Sequence, residues 1–238
     1  MKFNDKVVFV TGANRGIGKA LVQAALQHGA KKVYAAARNT SDMPDFKDPR
    51  VTAVTLDISK HDQVAAAAAS AADVQILINN AGVLASTSVL ESSLDDLQTD
   101  MQVNYFGTLN LTRAFVPVIA KNGEGAIASI SSILGLASMA GVGGYSASKA
   151  ALFSAIQSMR AELKPKNIAV FGIFPGPIDT DMTRSMDTPK TSTTETADNI
   201  VKAMEAGTED IFPDPMSTQA GGLWMSNPKE VERMFATF

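Results

Sequence analysis

The sequence has no cysteine and only two histidines, His28 and His61, among its 238 residues. The absence of cysteine excludes disulfide bonds, thiol catalysis and thiolate metal ligands. Two histidines are too few for a histidine-rich metal centre. We therefore expect no metal site.

The chain also lacks an excess of positive charge and a long, uniformly apolar segment. Its formal net charge of −3 argues against nucleic acid as a partner, because nucleic-acid binding requires a concentrated basic face. Residues 1–6 are polar and contain no stretch of signal-peptide type, which predicts a cytoplasmic protein. Residues 125–148 carry no charge, but their many Gly and Ser residues indicate a strand and a loop, and not a membrane span.

What the chain does contain is a regular alternation of short apolar runs and helical patterns. Hydrophobic residues make up 45% of the sequence, which is enough for a buried core. The apolar runs lie at residues 7–10, 33–36, 51–56, 76–78, 126–130, 168–173 and 211–212. Helical patterns lie at residues 16–28, 62–72, 94–120, 146–163 and 228–235. This alternation predicts one α/β domain over residues 1–238: a doubly wound parallel sheet of about seven strands with helices on both faces.

One segment, residues 179–196, interrupts this alternation. It is polar and rich in threonine, and it contains Pro189. Long loops of this kind beside a site often close over a bound ligand. We expect this segment to be a mobile substrate loop.

A glycine-rich turn joins the first strand to the first helix. It reads Thr11-Gly12-Ala13-Asn14-Arg15-Gly16-Ile17-Gly18. Glycines permit positive φ angles and let the backbone approach a ligand closely. The free N–H groups and the positive dipole end of the helix attract a phosphate group. The turn therefore predicts a nucleotide pyrophosphate site, and an ordinary tight turn is the alternative.

Further motifs follow this turn in order. They are Asp57-Ile58, Asn79-Asn80-Ala81-Gly82, Asn104, Ser132, Tyr145-x-x-x-Lys149 and Pro175-Gly176-Pro177. Together with the Gly-x-x-x-Gly-x-Gly spacing, they resemble the short-chain dehydrogenase/reductase family over roughly residues 6–180. The resemblance implies a Rossmann-type fold, a nicotinamide cofactor and an oxidoreductase activity. The cofactor contacts that it implies are Gly12, Asn14, Arg15, Gly16, Ile17, Gly18, Arg38, Asp57, Ile58, Asn79, Ala81, Gly82, Tyr145, Lys149, Pro175, Gly176, Ile178 and Thr180.

The residues after the second strand indicate which nicotinamide cofactor is preferred. An acidic residue at that point would bind the ribose 2′-hydroxyl and repel a 2′-phosphate. This chain has Ala37 and then Arg38, and Arg15 would supply a second positive charge. A guanidinium pairs with phosphate in a bidentate way. We therefore predict NADP(H), with NAD(H) less favoured; two solvated arginines without a ligand are the alternative interpretation.

The resemblance assigns the chemistry to four residues, Asn104, Ser132, Tyr145 and Lys149. Free tyrosine has a pKa of about 10, and Lys149, one helical turn away, is expected to lower the pKa of Tyr145. Tyr145 would exchange a proton with the substrate oxygen, and Ser132 would hydrogen-bond that oxygen. Asn104 would organise a water-linked proton path to Lys149. Ser131 is the alternative serine, although the spacing favours Ser132.

The pattern of residues around these motifs predicts an apolar substrate pocket. Such a pocket suits a hydrophobic ketone, aldehyde or alcohol of medium size. No cluster of basic residues points to an acyl-carrier or coenzyme-A substrate. The residues expected to form its walls, several of which are equally well explained as core, are Val83, Leu84, Ile133, Leu134, Gly135, Leu136, Met139, Pro177, Met182 and the small residues of 137–144.

The C-terminal residues differ from those of many family members, which end in a Val-Asp-Gly-Gly-like strand at a tetramer interface. Here residues 209–214 and a charged helix at 228–235 stand in that place, so the usual tetramer is in doubt. In the family, the helices equivalent to 94–120 and 146–163 commonly pair across a two-fold axis. We therefore expect a homo-oligomer and favour a dimer.

Three activities are compatible with these motifs. The first is a carbonyl reductase or alcohol dehydrogenase. The second is a catalytically silent NADP(H)-sensing binding protein, although such a protein would not need all four of Asn104, Ser132, Tyr145 and Lys149. The third is a sugar-nucleotide epimerase or dehydratase, a group that usually has a larger C-terminal substrate domain. The first activity is favoured.

Overall fold

The computed structural model describes residues 1–237 and contains a seven-stranded parallel sheet. The strands are β1 (Val7–Thr11), β2 (Lys32–Ala37), β3 (Val51–Thr55), β4 (Ile76–Asn79), β5 (Gly125–Ile130), β6 (Ile168–Ile173) and β7 (Asp210–Ile211). Their order is β3-β2-β1-β4-β5-β6-β7, and every neighbouring pair is parallel. From β1 the chain adds β2 and β3 on one side of the sheet, and it then returns to add β4 to β7 on the other side. The strand order therefore reverses between β1 and β4, and ligands of such sheets bind at this reversal, outside the carboxyl ends of the strands. The predicted fold class is confirmed.

Helices cover both faces of the sheet. They are α1 (Gly16–Gln27), α2 (His61–Ser70), α3 (Leu94–Asp100), α4 (Thr108–Lys121), α5 (Gly143–Leu163), α6 (Thr193–Ala206), α7 (Pro215–Ser226) and α8 (Pro228–Phe235). Apolar residues of α1 and α6 pack in one buried cluster against the sheet. Those of α2, α4 and α5 form a second cluster on the opposite face. A third cluster joins α5, α7 and α8 beside β6.

The central strands are buried on both faces, as their continuous apolar sequences predict. All five residues of β1 are buried, and β1 pairs with β2 and β4, for example through Val8 with Val33 and Val8 with Ile76. The edge strand β3 differs from the prediction of a covered apolar strand, because Thr52, Ala53 and Thr55 are exposed. An edge strand has a neighbour on one side alone, so its side chains are less covered.

The helix predicted over residues 94–120 is divided in the structure. A π-helical segment, Met101–Gly107, separates α3 from α4. π-Helical turns insert one residue into the helical ladder and often occur at functional sites. Gly107 ends the segment where the helix passes Ile58, and a Cβ at Gly107 would lie 2.9 Å from Cγ1 of Ile58. The sequence pattern did not reveal this division, because apolar spacing is similar in both helix types.

Two predicted boundaries near the site are wrong. The helix that carries Tyr145 begins at Gly143, three residues before the predicted start at Ser146. The predicted loop 179–196 ends at Ser192, because Ser192 caps α6 by accepting a hydrogen bond from the Glu195 N–H at 3.2 Å. The shorter loop also contains a 3-10 turn, Asp181–Thr183, and an isolated bridge from Ile178 to Thr191. Polar threonines concealed the start of α6 in the sequence.

Within residues 1–237, no helix combines the length and the apolar character needed to cross a membrane. Over the same residues, no three His, Asp or Glu side chains come together in a group able to hold a metal ion.

Candidate active site

A groove of about 530 Å³ opens at the carboxyl ends of the strands, beside the switch point between β1 and β4. Most of the residues predicted from the sequence meet in this groove. The predicted residues that line it are Gly12, Asn14, Arg15, Gly16, Ile17, Arg38, Asp57, Ile58, Ala81, Gly82, Ser132, Tyr145, Lys149, Pro175, Gly176, Ile178 and Thr180. Three predicted residues, Gly18, Asn79 and Asn104, are not among the lining residues.

The glycine-rich turn has the backbone geometry that a phosphate group requires. Gly12 and Gly16 have φ angles of +62° and +55°, a region that favours glycine. No side chain caps the N-terminus of α1, and its first turn has no acidic residue. Gly18 faces the turn itself, where an added Cβ would overlap the carbonyl oxygen of Gly12. Gly18 therefore allows close packing of the helix on the turn, and the groove fits a pyrophosphate.

The structure corrects the choice between two neighbouring asparagines. The Asn79 side chain points into the protein, where its amide donates to Thr112 at 3.0 Å and to Ser129 at 3.2 Å. Asn80 lines the groove instead, and its amide donates to the carbonyl oxygen of Thr11 at 2.8 Å. The period-two alternation of β4 continues past its end, so successive side chains face opposite ways. That alternation was the signal available in the sequence.

Charged side chains stand at the part of the groove nearest β2 and the glycine turn. Nη1 of Arg15 lies 2.5 Å from Oδ2 of Asp181, so an ion pair joins the turn to the loop after β6. Both partners are exposed, so the pair contributes little stability. Arg38 lines the groove beside Asp57. Burial raises the pKa of Asp57, but hydrogen bonds from Ser59 and the charge of Arg38 outweigh burial and hold the pKa below its usual value.

Tyr145 and Lys149 lie one turn apart on α5 and are almost completely buried. Nζ of Lys149 lies 5.5 Å from the centre of the Tyr145 ring and donates to the carbonyl oxygen of Ile130 at 2.8 Å. Burial raises the pKa of Tyr145 to about 12, although a hydrogen bond with Ser132 acts in the opposite direction. The expectation that Lys149 brings the pKa of Tyr145 below 10 is therefore wrong. Burial also lowers the pKa of Lys149 to about 8.

The two neighbouring serines have different surroundings. The Ser131 hydroxyl donates to the carbonyl oxygen of Lys149 at 3.0 Å, which occupies it within the protein. The Ser132 oxygen accepts from the Leu134 N–H at 3.1 Å and is hydrogen-bonded with Tyr145. Ser132 is thus the serine beside the Tyr145 hydroxyl, as the spacing predicts.

Asn104 lies behind the groove wall in the π-helical segment. Its amide oxygen accepts from the Val83 N–H at 2.8 Å, and its amide nitrogen donates to the Val83 carbonyl and to Ser148, each at 2.9 Å. A Cβ at Gly82 would lie 3.0 Å from the Asn104 oxygen and 3.4 Å from Nζ of Lys149. Asn104 therefore holds the backbone of Gly82 and Val83, and Gly82 lies between the side chains of Asn104 and Lys149.

The wall beyond Ser132 is apolar and rich in methionine. Ile133, Leu134, Met139, Met216 and Phe235 belong to the third apolar cluster and also line the groove. The loop after β6 adds Met182 and Met186. Met186, Met216 and Phe235 also line the groove but are not predicted from the sequence, because none of them belongs to a motif with a recognisable local pattern. Methionine side chains adapt to irregular ligands, so this wall accommodates apolar groups of varied shape.

Comparison with known proteins agrees with the geometry. A family model for short chain dehydrogenase matches residues 6–191. A dehydrogenase/reductase SDR family protein 7-like from Anopheles gambiae is 32% identical over 250 residues, which covers 93% of this chain and 78% of that protein. A 3-oxoacyl-(acyl-carrier-protein) reductase from Chlamydia muridarum is 31% identical over 192 residues, which covers 76% of this chain and 77% of that protein.

Solved structures resemble the whole chain. A short chain dehydrogenase from Burkholderia cenocepacia, in complex with NADP, is 38% identical with a TM-score of 0.93 and covers 99% of each chain. A short chain dehydrogenase/reductase from Burkholderia phymatum, in complex with NAD, has a TM-score of 0.86 at 24% identity, covers 97% of this chain and 96% of that one, and supports the fold alone. The fold and the site thus define a Rossmann-type oxidoreductase of the nicotinamide-dependent class. The chain belongs to the short-chain dehydrogenase family.

Proposed function

We propose that this protein interconverts a carbonyl compound and an alcohol with NADP(H) as cofactor, and that Tyr145 is its general acid and base. The observation that carries the proposal is the group formed by Tyr145, Ser132 and Lys149 at one wall of the groove. A catalytically silent binding protein has no need of a buried phenol hydrogen-bonded with a serine and a buried ammonium beside it, because burying such groups costs stability.

The cofactor preference is inferred from the charges near β2. Ala37 ends β2 without a carboxylate that would repel a 2′-phosphate, and Arg38 lines the groove directly after it. Arg15 places a second guanidinium in the same groove. The Burkholderia cenocepacia relative, 38% identical to this chain, was solved with NADP, which supports the same choice. The proposed contacts are the predicted residues that line the groove.

Tyr145, Ser132 and Lys149 have different roles in the proposed reaction. When bound, the nicotinamide cofactor supplies or accepts a hydride at the substrate carbon. Tyr145 holds its proton over the whole neutral range, since its pKa lies at about 12, and can donate it to a carbonyl oxygen. Ser132 orients that oxygen through its hydroxyl. Lys149 places a cation close to the phenol and the groove.

The substrate is proposed to be an apolar ketone, aldehyde or alcohol. Its reacting oxygen would lie at Tyr145 and Ser132, and its apolar part would contact the methionine-rich wall. The loop at residues 179–192 lines the groove through Met182 and Met186, so we propose that it contributes to substrate binding and moves during the cycle.

We also propose that the protein is a homodimer. Leu94, at the start of α3, is 73% exposed, and Phe106, at the end of the π-helical segment, is 51% exposed. Large exposed apolar side chains on one helical stretch are typical of subunit contacts. Size-exclusion chromatography with light scattering decides between a monomer, a dimer and a tetramer.

A panel of apolar ketones, aldehydes and diketones, and of the corresponding alcohols, tests the proposed function. Turnover is measured with NADPH and NADH for carbonyl reduction, and with NADP⁺ and NAD⁺ for alcohol oxidation. The expected result is reduction of at least one carbonyl class with a higher kcat/KM for NADPH. Tyr145→Phe should abolish turnover while cofactor binding, followed by NADPH fluorescence, stays within a few fold. Near-normal turnover in that variant contradicts the role of Tyr145, and equal or better use of NADH contradicts the cofactor preference.

A further inference from the structure

Asp100, the last residue of α3, is a completely buried carboxylate. Its oxygens accept hydrogen bonds from the N–H groups of Ala85 at 2.9 Å and Ser86 at 3.1 Å, and from the Ser86 hydroxyl at 2.5 Å. Three hydrogen-bond donors at the two oxygens are surroundings that suit an ionised carboxylate. Within residues 1–237, no lysine, arginine or histidine forms an ion pair with it. Burying an unpaired charge is costly, so the position calls for a functional explanation.

The hydrogen bonds of Asp100 connect it to the start of α5. Asp100 holds residues 85 and 86, and Asn104 holds Val83 through two hydrogen bonds, so the two side chains fix one short segment, residues 83–86. Ser86 in turn packs against Gly144, where an added Cβ would overlap the Ser86 hydroxyl. Gly144 immediately precedes Tyr145. A continuous series of contacts therefore leads from the carboxylate to the first turn of the helix that carries the proposed acid.

Asp100 also acts on the proposed reacting groups through its charge. Burial is the main cause of the raised pKa of Tyr145, and the Asp100 charge raises that pKa further. For Lys149, burial lowers the pKa and the Asp100 charge opposes it. The other carboxylates of α3, Asp95 and Asp96, are exposed, so solvent screens them.

We propose that Asp100 is a positioning residue, whose buried carboxylate fixes residues 83–86 against the start of α5 and provides the electrostatic environment in which Tyr145 and Lys149 act. The inference rests on the proposed function. A negative charge behind the pair favours the protonated form of both groups. That form is the one required to donate a proton to a carbonyl oxygen, so the charge favours reduction.

The first test compares Asp100→Asn with two control variants. Asp100→Asn keeps the size of the side chain and removes its charge, and the pH profile of kcat for carbonyl reduction should move to lower pH by roughly 0.5–1 unit. Ser86→Ala removes a hydrogen bond and keeps the charge, so it should lower kcat a few fold without moving the profile. Asp95→Asn removes an exposed charge and should behave as the wild type. An unmoved profile in Asp100→Asn, or an equal shift in Ser86→Ala, overturns the proposal.

The second test does not depend on turnover. The side-chain signal of Lys149 in protein labelled with ¹⁵N-lysine, identified by its loss in Lys149→Met, is titrated by NMR. Its midpoint should fall in Asp100→Asn and stay unchanged in Ser86→Ala; the same midpoint in Asp100→Asn as in the wild type overturns the proposal. If the wild-type protein reduced no carbonyl compound, the proposed function would be contradicted. The titration midpoint of Lys149 could still be measured and would still test the role of Asp100.

A second substitution of Asp100 covers the case in which Asp100→Asn fails to fold. Asp100→Glu keeps the negative charge and displaces the carboxylate. It should lower kcat by disturbing residues 83–86 and keep the Lys149 midpoint close to that of the wild type. A Lys149 midpoint that falls by half a unit or more in Asp100→Glu would show that the charge is not what sets it.

Discussion

The ammonium nitrogen of Lys149 lies 5.5 Å from the centre of the Tyr145 ring, and both side chains are buried. The ammonium has three N–H donors, and its hydrogen bond to the Ile130 carbonyl uses one of them. Burial accordingly lowers the pKa of Lys149 to about 8. A cation kept in this position lowers the stability of the fold at neutral pH, which is a common consequence of building a reactive site.

Replacing Lys149 by Met should raise the stability at pH 7 and abolish turnover. The pKa of Lys149 falls from 10.5 to about 8 on folding, which corresponds to a cost on the order of 3 kcal/mol. The measured gain should be smaller, because the variant also loses the hydrogen bond to Ile130. Calorimetry at pH 7 checks this, and a Tm equal to or below that of the wild type contradicts it.

The stability difference between wild type and Lys149→Met should narrow as the pH rises. Below pH 8, Lys149 is protonated in the folded and the unfolded state, so the folded state carries the full cost. Between pH 8 and 10.5 the unfolded chain binds more protons than the folded one, so wild-type stability rises with pH. Unfolding free energies at pH 7 and pH 10 test this sign. Lys19→Met, at an exposed lysine, is the control and should show no such narrowing.

Arg38→Ala should weaken the use of NADPH and leave NADH largely unchanged. Arg38 lines the groove after β2, and the loss of a charge-assisted contact with phosphate costs about 1.5–3 kcal/mol, or roughly 10- to 100-fold in kcat/KM. Lys31→Ala, on an exposed lysine outside this groove, is the control. Equal losses of kcat/KM with NADPH and NADH would show that Arg38 has a structural role and does not bind the 2′-phosphate.

Gly18→Ala should prevent cofactor binding or folding, whereas Gly222→Ala should be tolerated. A Cβ at Gly18 would overlap the backbone of Gly12, which cannot move without changing the turn. Gly222 lies inside α7 with open space around it, so alanine there should stabilise the protein by about 0.5–1 kcal/mol. NADPH fluorescence titration and thermal unfolding of both variants check this. Normal NADPH affinity in Gly18→Ala would contradict the proposed phosphate turn.

Phe235→Ala should change substrate preference toward bulkier carbonyl compounds. Phe235 is 2% exposed, lines the groove and packs in the third apolar cluster with Ile133. Its removal should enlarge the pocket and destabilise the protein by about 3 kcal/mol. Met225→Ala, at a side chain that is 70% exposed, is the control and should change neither property. Kinetics with a series of ketones of increasing size measure the effect; a specificity order identical to that of the wild type contradicts it.

Much of the fold follows from local sequence patterns. Apolar runs such as 168–173 are buried strands because continuous apolar sequence is stable only inside the protein, and β6 has the predicted bounds. The glycine turn and the spacing of Tyr145 and Lys149 are local as well. Helix α6 is one of the exceptions, because no helix is predicted over its residues and its apolar face is recognised only when it packs against α1.

The sequence alone determined the strand–helix alternation, the glycine-rich turn and the one-turn helical spacing of Tyr145 and Lys149, because each depends on residues close together in the chain. The tertiary structure decided that Phe235 lines the groove and that Asp100 is buried. It also reversed the expected pKa shift of Tyr145. These properties depend on burial and on contacts between distant segments, and no local pattern encodes them.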